Sequence, residues 1–377
     1  MDFEFSDEQE QLRDAVRRWV DKGFGFERRH ALAKAGGKTR EVLAELNELG
    51  LSALAVPEAH GGMGFGAVEA MVVMEELGRG LVNAPYAQAA LVAPTLLSYA
   101  PEALQQHWLP KIAAGEALVV LAQQERASRY RLDQAATLAT ESAGQWKLTG
   151  TKIVVPAGDE ADAFIVSARV SGSENNPAGV ALFVVDKGAA GSQVRGYPTQ
   201  DGARAADLVL ADTPATLLSR DGLAALEHAA DVAIAALCAE GVGLMDRMVA
   251  ITVDYMHQRK QFGVPLATFQ ALRHRIADVK MQLELGRSMS YFASLKLGEP
   301  AEARCRALAQ AKVQLGNSMR FVGQQCTQIH GGIGVTDEYV SSHYFKRMTV
   351  IELSFGDTMH HLGEVSARMR DSAGVFA

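Results

Sequence analysis

The chain has 377 residues, 48% of them hydrophobic and 21% charged, with a formal net charge of -7. Such a length sets an expectation of two or three domains, and such a balance is globular rather than disordered. The acidic sum argues against a nucleic-acid polymer as partner, since phosphate binding needs a basic surface.

Cys238, Cys305 and Cys326 lie too far apart for a zinc site or a disulfide framework, which points to a reducing compartment. The opening Met1-Asp2-Phe3-Glu4-Phe5 is acidic where a secretory signal is basic, and no apolar run is expected to be long enough for a transmembrane helix. A soluble, cytoplasmic protein with no membrane partner is expected.

In chain order, Ser6 followed by Gln9 predicts a capping box, with Leu12, Val16, Trp19 and Val20 behind it at helical spacing. Val42, Leu43, Leu46 and Leu49 repeat the pattern up to a Gly50 cap. Residues 57–66 (PEAHGGMGFG) read as a glycine-dense loop, and a helix is expected from Val68 to Leu77, stopped by Gly78 and Gly80. Further helical segments continue to about Ala114.

From Ala117 the pattern changes to short strands. Leu118–Leu121, Trp146–Gly150 before a turn, Phe164–Val166, Val180–Val185 and Asp207–Leu210 are punctuated by Gly172, Asn175, Asn176, Pro177, Gly188 and Gly191. The helical period returns near Leu223. The expected fold is α+β and multidomain: an all-α domain over 1–116, a β-sandwich or β-barrel over 117–215, and a helical domain over 216–377. This order excludes the alternating βα pattern of a Rossmann enzyme. No glycine-rich phosphate loop sits between a strand and a helix, so a nucleotide cofactor must be held another way.

Arg259-Lys260-Gln261-Phe262-Gly263-Val264-Pro265 ends one long helix and leads to the next near Thr268-Phe269-Gln270. An arginine there can fork onto pyrophosphate, and the ring can stack on a flat heterocycle. A helix-end cation beside a packed phenylalanine is the plainer alternative. Gln328-Ile329-His330-Gly331-Gly332-Ile333-Gly334 closes a second helix, where the glycines either admit a ligand close to backbone or simply end the helix. His330 has no second histidine or carboxylate at ligand spacing, and adjacent His360 and His361 cannot share a helical face. Structural roles are expected for them, and no metal.

The two motifs together, in an α–β–α chain of this length, resemble the FAD-binding signatures of the acyl-CoA dehydrogenase family. Pro57-Glu58 with Gly61, Gly62 and Gly64 resembles the family's N-terminal loop, and Met74-Glu75-Glu76-Leu77-Gly78-Arg79 the helix after it. Within the family, Arg129-Tyr130-Arg131-Leu132, Gly196–Gly202, Ala235–Glu240 and Tyr344-Phe345-Lys346-Arg347 resemble a subfamily, the small subunits of pimeloyl-CoA dehydrogenases.

The resemblance implies a helical N-terminal domain, a middle β-barrel and a C-terminal four-helix bundle. FAD lies between subunits of a homo-dimer, homo-tetramer or hetero-oligomer, and electron-transfer flavoprotein accepts the electrons in fatty-acid β-oxidation. The implied reaction is α,β-dehydrogenation of an acyl-CoA thioester. A carboxylate takes the α-proton, the flavin takes the β-hydride, and hydrogen bonds steady the enolate oxygen. Carried over residue by residue, Arg259, Phe262, Gln270, Gln328 and Gly332 match the cofactor-binding positions along the ADP half of FAD.

The catalytic end departs from the family. Counting forward without gaps from Glu338-Tyr339, the position of the usual glutamate base is Phe355, which cannot take a proton. Asp357 and Glu240 are the remaining candidates for a base. Glu240 reads as structural, and Asp231 as a surface or N-cap carboxylate. In the middle domain, Gln124-Glu125-Arg126-Ala127-Ser128-Arg129 and Val154-Val155-Pro156 stand where family members present groups to the flavin ring. Valine cannot stack there, and proline has no donor. Phosphate contacts survive and ring contacts do not. That asymmetry implies a hetero-oligomer in which a large subunit supplies the base. The alternatives are a self-sufficient homomer with a relocated base and a non-catalytic stabilising subunit. Arg126, Arg129 and Arg131 are candidates by composition for a distal substrate carboxylate, or form a solvated basic loop.

Overall fold

Ser6 caps the first helix as predicted: its hydroxyl accepts the Gln9 N–H at 3.3 Å, while the Gln9 side chain accepts the Ser6 N–H at 3.0 Å. The computed structural model describes residues 4–174 and 176–372; Asn175, one of the expected turn residues, lies outside the described residues. The N-terminal helices are α1 (Asp7–Gly23), α2 (Phe26–Lys34), α3 (Arg40–Glu48), α4 (Ala67–Arg79), α5 (Ala93–Leu97) and α6 (Glu102–Ala113). Seven strands follow: β1 (Val119–Ala122), β2 (Leu138–Ser142), β3 (Gln145–Pro156), β4 (Ala163–Arg169), β5 (Val180–Asp186), β6 (Ser192–Pro198) and β7 (Arg204–Ser219). The rest comprises α7 (Gly222–Gln258), the hairpin of β8 (Lys260–Gln261) and β9 (Val264–Pro265), α8 (Gln270–Lys296), α9 (Ala301–His330), α10 (Val340–Leu353) and α11 (Thr358–Ser372).

The α–β–α order stands, and three local expectations do not. Gly78 does not stop α4, which runs through it to Arg79. A Cβ on Gly78 would lie 2.2 Å from the Glu240 carbonyl oxygen, and one on Gly243 would lie 1.9 Å from that of Glu75. The pair of glycines lets α4 and α7 cross backbone to backbone. Gly150 does not end a strand either. It sits at a register shift inside the long β3, where a Cβ would meet Thr137 Oγ1 at 2.5 Å. Strands β2 and β6 were not expected, because their residues are mostly polar and half-exposed and leave no apolar run to read.

The chain packs into two compact units that do not follow chain order. One holds Ala31–Gly66 and Asn83–Ala233. Here β4 pairs with β5, β5 with β7, β7 with β3, and β3 with β2; β2 returns to β4 through Leu138 and Arg169, which closes the ring. Strand β1 runs parallel to β4, and β6 lies along β7. Side chains such as Phe164, Phe183, Val166 and Leu208 fill the interior.

The other unit gathers the residues up to His30, Ala67–Val82 and those from Ile234 on. Helices α7 to α10 share one apolar core that includes Met245, Leu283, Leu315, Met319 and Ile351. Arg287 of α8 pairs with Glu75 of α4 and, at 3.0 Å, with Asp246 of α7. One sequence expectation needs correcting here. By length and composition α7 is apolar enough to cross a membrane, yet 72% of its apolar window is buried inside the protein, so it reads as a core helix.

Candidate cofactor-binding site

Arg259, Phe262 and Gln270 come from one short hairpin. The last turn of α7 closes with the Arg259 N–H donating to the Tyr255 carbonyl, and the chain reverses between β8 and β9. Phe262 and Gly263 form the two-residue turn with φ of +52° and +82°. Positive φ at both central positions is the turn that suits a twisted hairpin, and it is a strained conformation for phenylalanine. Phe262 is also 93% exposed, touching Phe269 edge-on at 6.2 Å.

Gln328 and Gly332 lie at the end of α9 and in the turn that follows. The Tyr255 hydroxyl donates to the His330 carbonyl at 3.3 Å, and the two rings lie 4.6 Å apart. The α7 and α9 ends are thereby pinned together. Arg259, Phe262, Gln270, Gln328 and Gly332 are all solvent-exposed. Arg259 has no ion pair among the described residues, and nothing lies within 4 Å of where a Cβ would stand on Gly331 or Gly332. An open glycine backbone and an unengaged guanidinium are each groups that fit the pyrophosphate and ribose of FAD. His330 is structural, as expected: it is buried, its Nδ1–H donates to the Cys326 carbonyl at 2.8 Å, and burial lowers its pKa.

The expected base position is a different environment. Phe355 has φ of +54° and packs against the helical core. Lys312, 1% exposed, donates from below to the carbonyls of Ile351, Glu352 and Gly356 at 2.8–3.0 Å. His361 donates from Nε2 to the Phe355 carbonyl at 2.9 Å. Burial pushes Lys312 down to about 8. Burial, with the Lys312 charge, pushes His361 down to about 4. The nearby Cys238 thiol is pushed up to about 12 by burial and is chemically inert.

Neither relocated-base candidate has a free carboxylate. Asp357 caps α11, accepting the His360 N–H at 2.8 Å. Glu240 is buried and gripped by Arg347, with Nε at 2.6 Å and Nη2 at 2.8 Å, which agrees with the structural reading. The expectation for Asp231 fails: it is 6% exposed inside α7, and that helix starts at Gly222, so it is neither a surface carboxylate nor an N-cap.

In the β-unit, the segment from Gln124 to Arg129 is likewise committed internally. Glu125 accepts from the buried Lys152 ammonium at 2.6 Å, the Thr137 hydroxyl at 2.7 Å, and the Ala136 and Thr137 N–H groups. Burial alone would raise its pKa, but Lys152 and these donors hold it below the carboxylate range. Val154 sits at φ +53° in a bulge, its N–H turned to the Tyr197 hydroxyl at 3.2 Å. Arg131 is paired with Asp133 at 2.7 Å, and Arg129 lies over the Tyr130 ring at 4.9 Å. Of the three arginines, the exposed Arg126 carries no ion pair among the described residues.

One cluster was not anticipated. His30, Asp337 and His343 place donor atoms within 4.8 Å of one another. Both nitrogens of His343 are already engaged, with Arg29 at 2.8 Å on Nδ1 and the Asp337 carbonyl at 2.8 Å on Nε2. The cluster is a hydrogen-bonded lock rather than a metal centre. It was illegible in the sequence because His30 and His343 come together only through the fold.

Three models of one family match the chain in succession: acyl-CoA dehydrogenase N-terminal domain over residues 6–116, middle domain over 121–212 and C-terminal domain over 220–370. Long-chain specific acyl-CoA dehydrogenase, mitochondrial, of Sus scrofa is 27% identical, over 97% of this chain and 86% of that protein. Acryloyl-CoA reductase (NADH) of Anaerotignum propionicum is 24% identical, over 96% and 94%. Among solved structures, the Tcur3481-Tcur3483 steroid ACAD (G363A variant) is similar with a TM-score of 0.87 and 29% identity, covering 97% of this chain and 99% of that one. Butyryl-CoA dehydrogenase from Megasphaera elsdenii shares the fold at a TM-score of 0.90 and 23% identity, over 98% and 100%. The chain belongs to the acyl-CoA dehydrogenase family of FAD-dependent oxidoreductases.

Proposed function

We propose that this chain is the small subunit of a heteromeric acyl-CoA dehydrogenase. It lends Arg259, Phe262, Gln270, Gln328 and Gly332 to an FAD whose ring and catalytic base are served by a large-subunit partner. The observation that carries this reading is the contrast between two turns. The cofactor turns are exposed, with open glycine backbone and an unengaged Arg259. The turn at Phe355 has its carbonyls taken by Lys312 and His361. Bound FAD would supply the hydride acceptor. This chain's own residues would neutralise the pyrophosphate through Arg259, cover a flat surface with Phe262, and admit phosphate or ribose against Gly331–Gly332.

A self-sufficient homomer is disfavoured by the Glu240–Arg347 pair and the Asp357 cap. The name of the 29% identical Tcur3481-Tcur3483 relative pairs two designations, which accords with a heteromer. Finer readings go with the proposal: domain limits near 116 and 216, a cytoplasmic setting, electron-transfer flavoprotein as acceptor, and a dicarboxylyl-CoA substrate met by Arg126. Co-expression with candidate large subunits tests it. Stoichiometric flavin and acyl-CoA bleaching are expected for the complex and not for the chain alone. Normal turnover by the isolated chain refutes the proposal, and a complex that turns over without flavin contact to Arg259 leaves only a stabilising role.

A further inference from the structure

The glycine turn that reads as the ADP cradle closes on itself through the Thr336 N–H and hydroxyl, which donate to the Ile333 carbonyl at 3.2 and 3.0 Å, but the residue that follows it is held from outside the turn. After Gly334 the chain runs through Thr336 and Asp337 to α10, and the Asp337 carbonyl is held by a side chain, the Nε2–H of His343 at 2.8 Å. Behind that ring stands Arg29 of α2. Its Nη1 lies 2.8 Å from His343 Nδ1, with Arg29 at 3% and His343 at 5% exposure.

The chemistry fixes the tautomer. A guanidinium only donates, so Nδ1 must accept; a carbonyl only accepts, so Nε2 must carry the hydrogen. His343 is therefore neutral and bridges α2 to the exit of the glycine turn. Phe26 and His30 of the same helix meet the ring edge-on at 5.1 Å and 5.5 Å and restrict its rotation.

We propose that Arg29 and His343 are positioning residues for the cofactor cradle: the Arg29–His343–Asp337 chain sets the glycine turn, and FAD affinity at this turn depends on His343 staying neutral. A proton on Nδ1 would face the guanidinium donor to donor at 2.8 Å, and the two groups must separate. The Asp337 carboxylate, 3.5 Å from Nε2, then draws the ring away from its present line. The other titratable groups facing it are His30 and Asp337, which meet at 3.9 Å, and Lys346 one turn along α10, which binds Asp337 at 3.2 Å. Burial, with Arg29 and Lys346, lowers the His343 pKa against the pull of Asp337, so the change is expected at acid pH.

The inference rests on the reading that this turn contacts FAD, and the test separates the two. FAD dissociation constants are measured by flavin fluorescence on the co-expressed complex between pH 5 and 8, for wild type, H343Q, R29M and R259A. Wild type is expected to lose affinity as pH falls, by at most about tenfold per pH unit for one coupled proton. H343Q, whose amide can accept from Arg29 and donate to Asp337 but cannot titrate, is expected to flatten the profile. R29M removes the opposing charge and is expected to move the transition to higher pH. A wild-type slope retained in H343Q overturns the inference while leaving the cofactor face intact. Unchanged FAD affinity in R259A overturns the cofactor reading itself. If R29M does not fold, H343Q alone decides.

Discussion

Replacing Glu240 separates a structural carboxylate from a catalytic one. In the native chain both Glu240 oxygens meet Arg347, at 2.6 and 2.8 Å, with side-chain exposures of 5% and 17%. Removing one partner of a buried pair leaves an uncompensated charge and costs about 3–5 kcal/mol. Arg347 retains some access to water, so Glu240→Ala should fall near the lower figure, about 3 kcal/mol. At roughly 2–4 °C per kcal/mol for a unit of this size, Tm should drop by roughly 6–12 °C. The double variant E240A/R347A should recover part of that loss, because the orphaned guanidinium is gone. Thermal melts followed by circular dichroism give both numbers, and turnover per bound flavin in the complex gives the third, which should hold within about twofold of wild type. If Glu240→Gln melts like wild type yet loses roughly a hundredfold or more in turnover, the residue is a base and the structural assignment is wrong.

Three further outcomes follow from the same geometry. Phe262→Gly relieves a positive-φ side chain and should stabilise the free chain by about 1 kcal/mol, read by urea titration, while weakening FAD retention in the complex. Burial pushes His361 down to about 4 in the fold against an ordinary 6.5. Between those values the unfolded chain takes up a proton that the folded one refuses, so stability falls as pH drops from 6.5 to 4, by about 3 kcal/mol in all. Glu125 adds to the acid loss in both proteins, so the difference between wild type and His361→Gln, which keeps a donor for Phe355, isolates this group. An identical pH–stability curve for the variant would refute the burial argument. Lys152→Met leaves Glu125 buried beside donors but without its cation, and should cost about 3–5 kcal/mol by denaturant melt; a loss under about 1 kcal/mol would mean the pair contributes little.

The helical ends and the order α–β–α were legible because periodicity reports burial directly, as in the Ser6–Gln9 cap and the long runs that became α7 and α9. Strands β2 and β6 were not, since a barrel strand facing solvent on one side with polar turns around it carries little apolar signal. Gly78 misled for a different reason. A glycine that breaks a helix and one that admits a crossing helix are the same letter, and only the α7 backbone beside it decides. Motif residues on single turns, Arg259 to Gly263 and Gln328 to Gly334, could be found through their resemblance to family signatures, because each motif is continuous in the chain. Lys312, Lys152 and the Arg29–His343 contact could not, because each joins segments far apart in the chain.

What distinguishes the two ends of the proposed site is where their polar groups find partners. A turn that is complete within its own chain has its carbonyls answered and its side chains packed, as at Phe355, where Lys312 and His361 between them take four carbonyls. A buried cation gives up hydration to sit there, and that loss is offset only because the carbonyls replace water. A carboxylate grafted at Phe355 would therefore sit above an ammonium already committed to the backbone. The opposite holds at Phe262: a strained, exposed ring and bare glycine backbone are disadvantages in an isolated chain. On the proposed reading, contacts from a partner subunit and FAD would offset that strain. On that reasoning Phe355→Glu by itself should not create an acyl-CoA oxidising subunit, because the turn beneath it is organised around the absence of a base. Measured flavin bleaching by the isolated F355E chain would show that a carboxylate alone was missing.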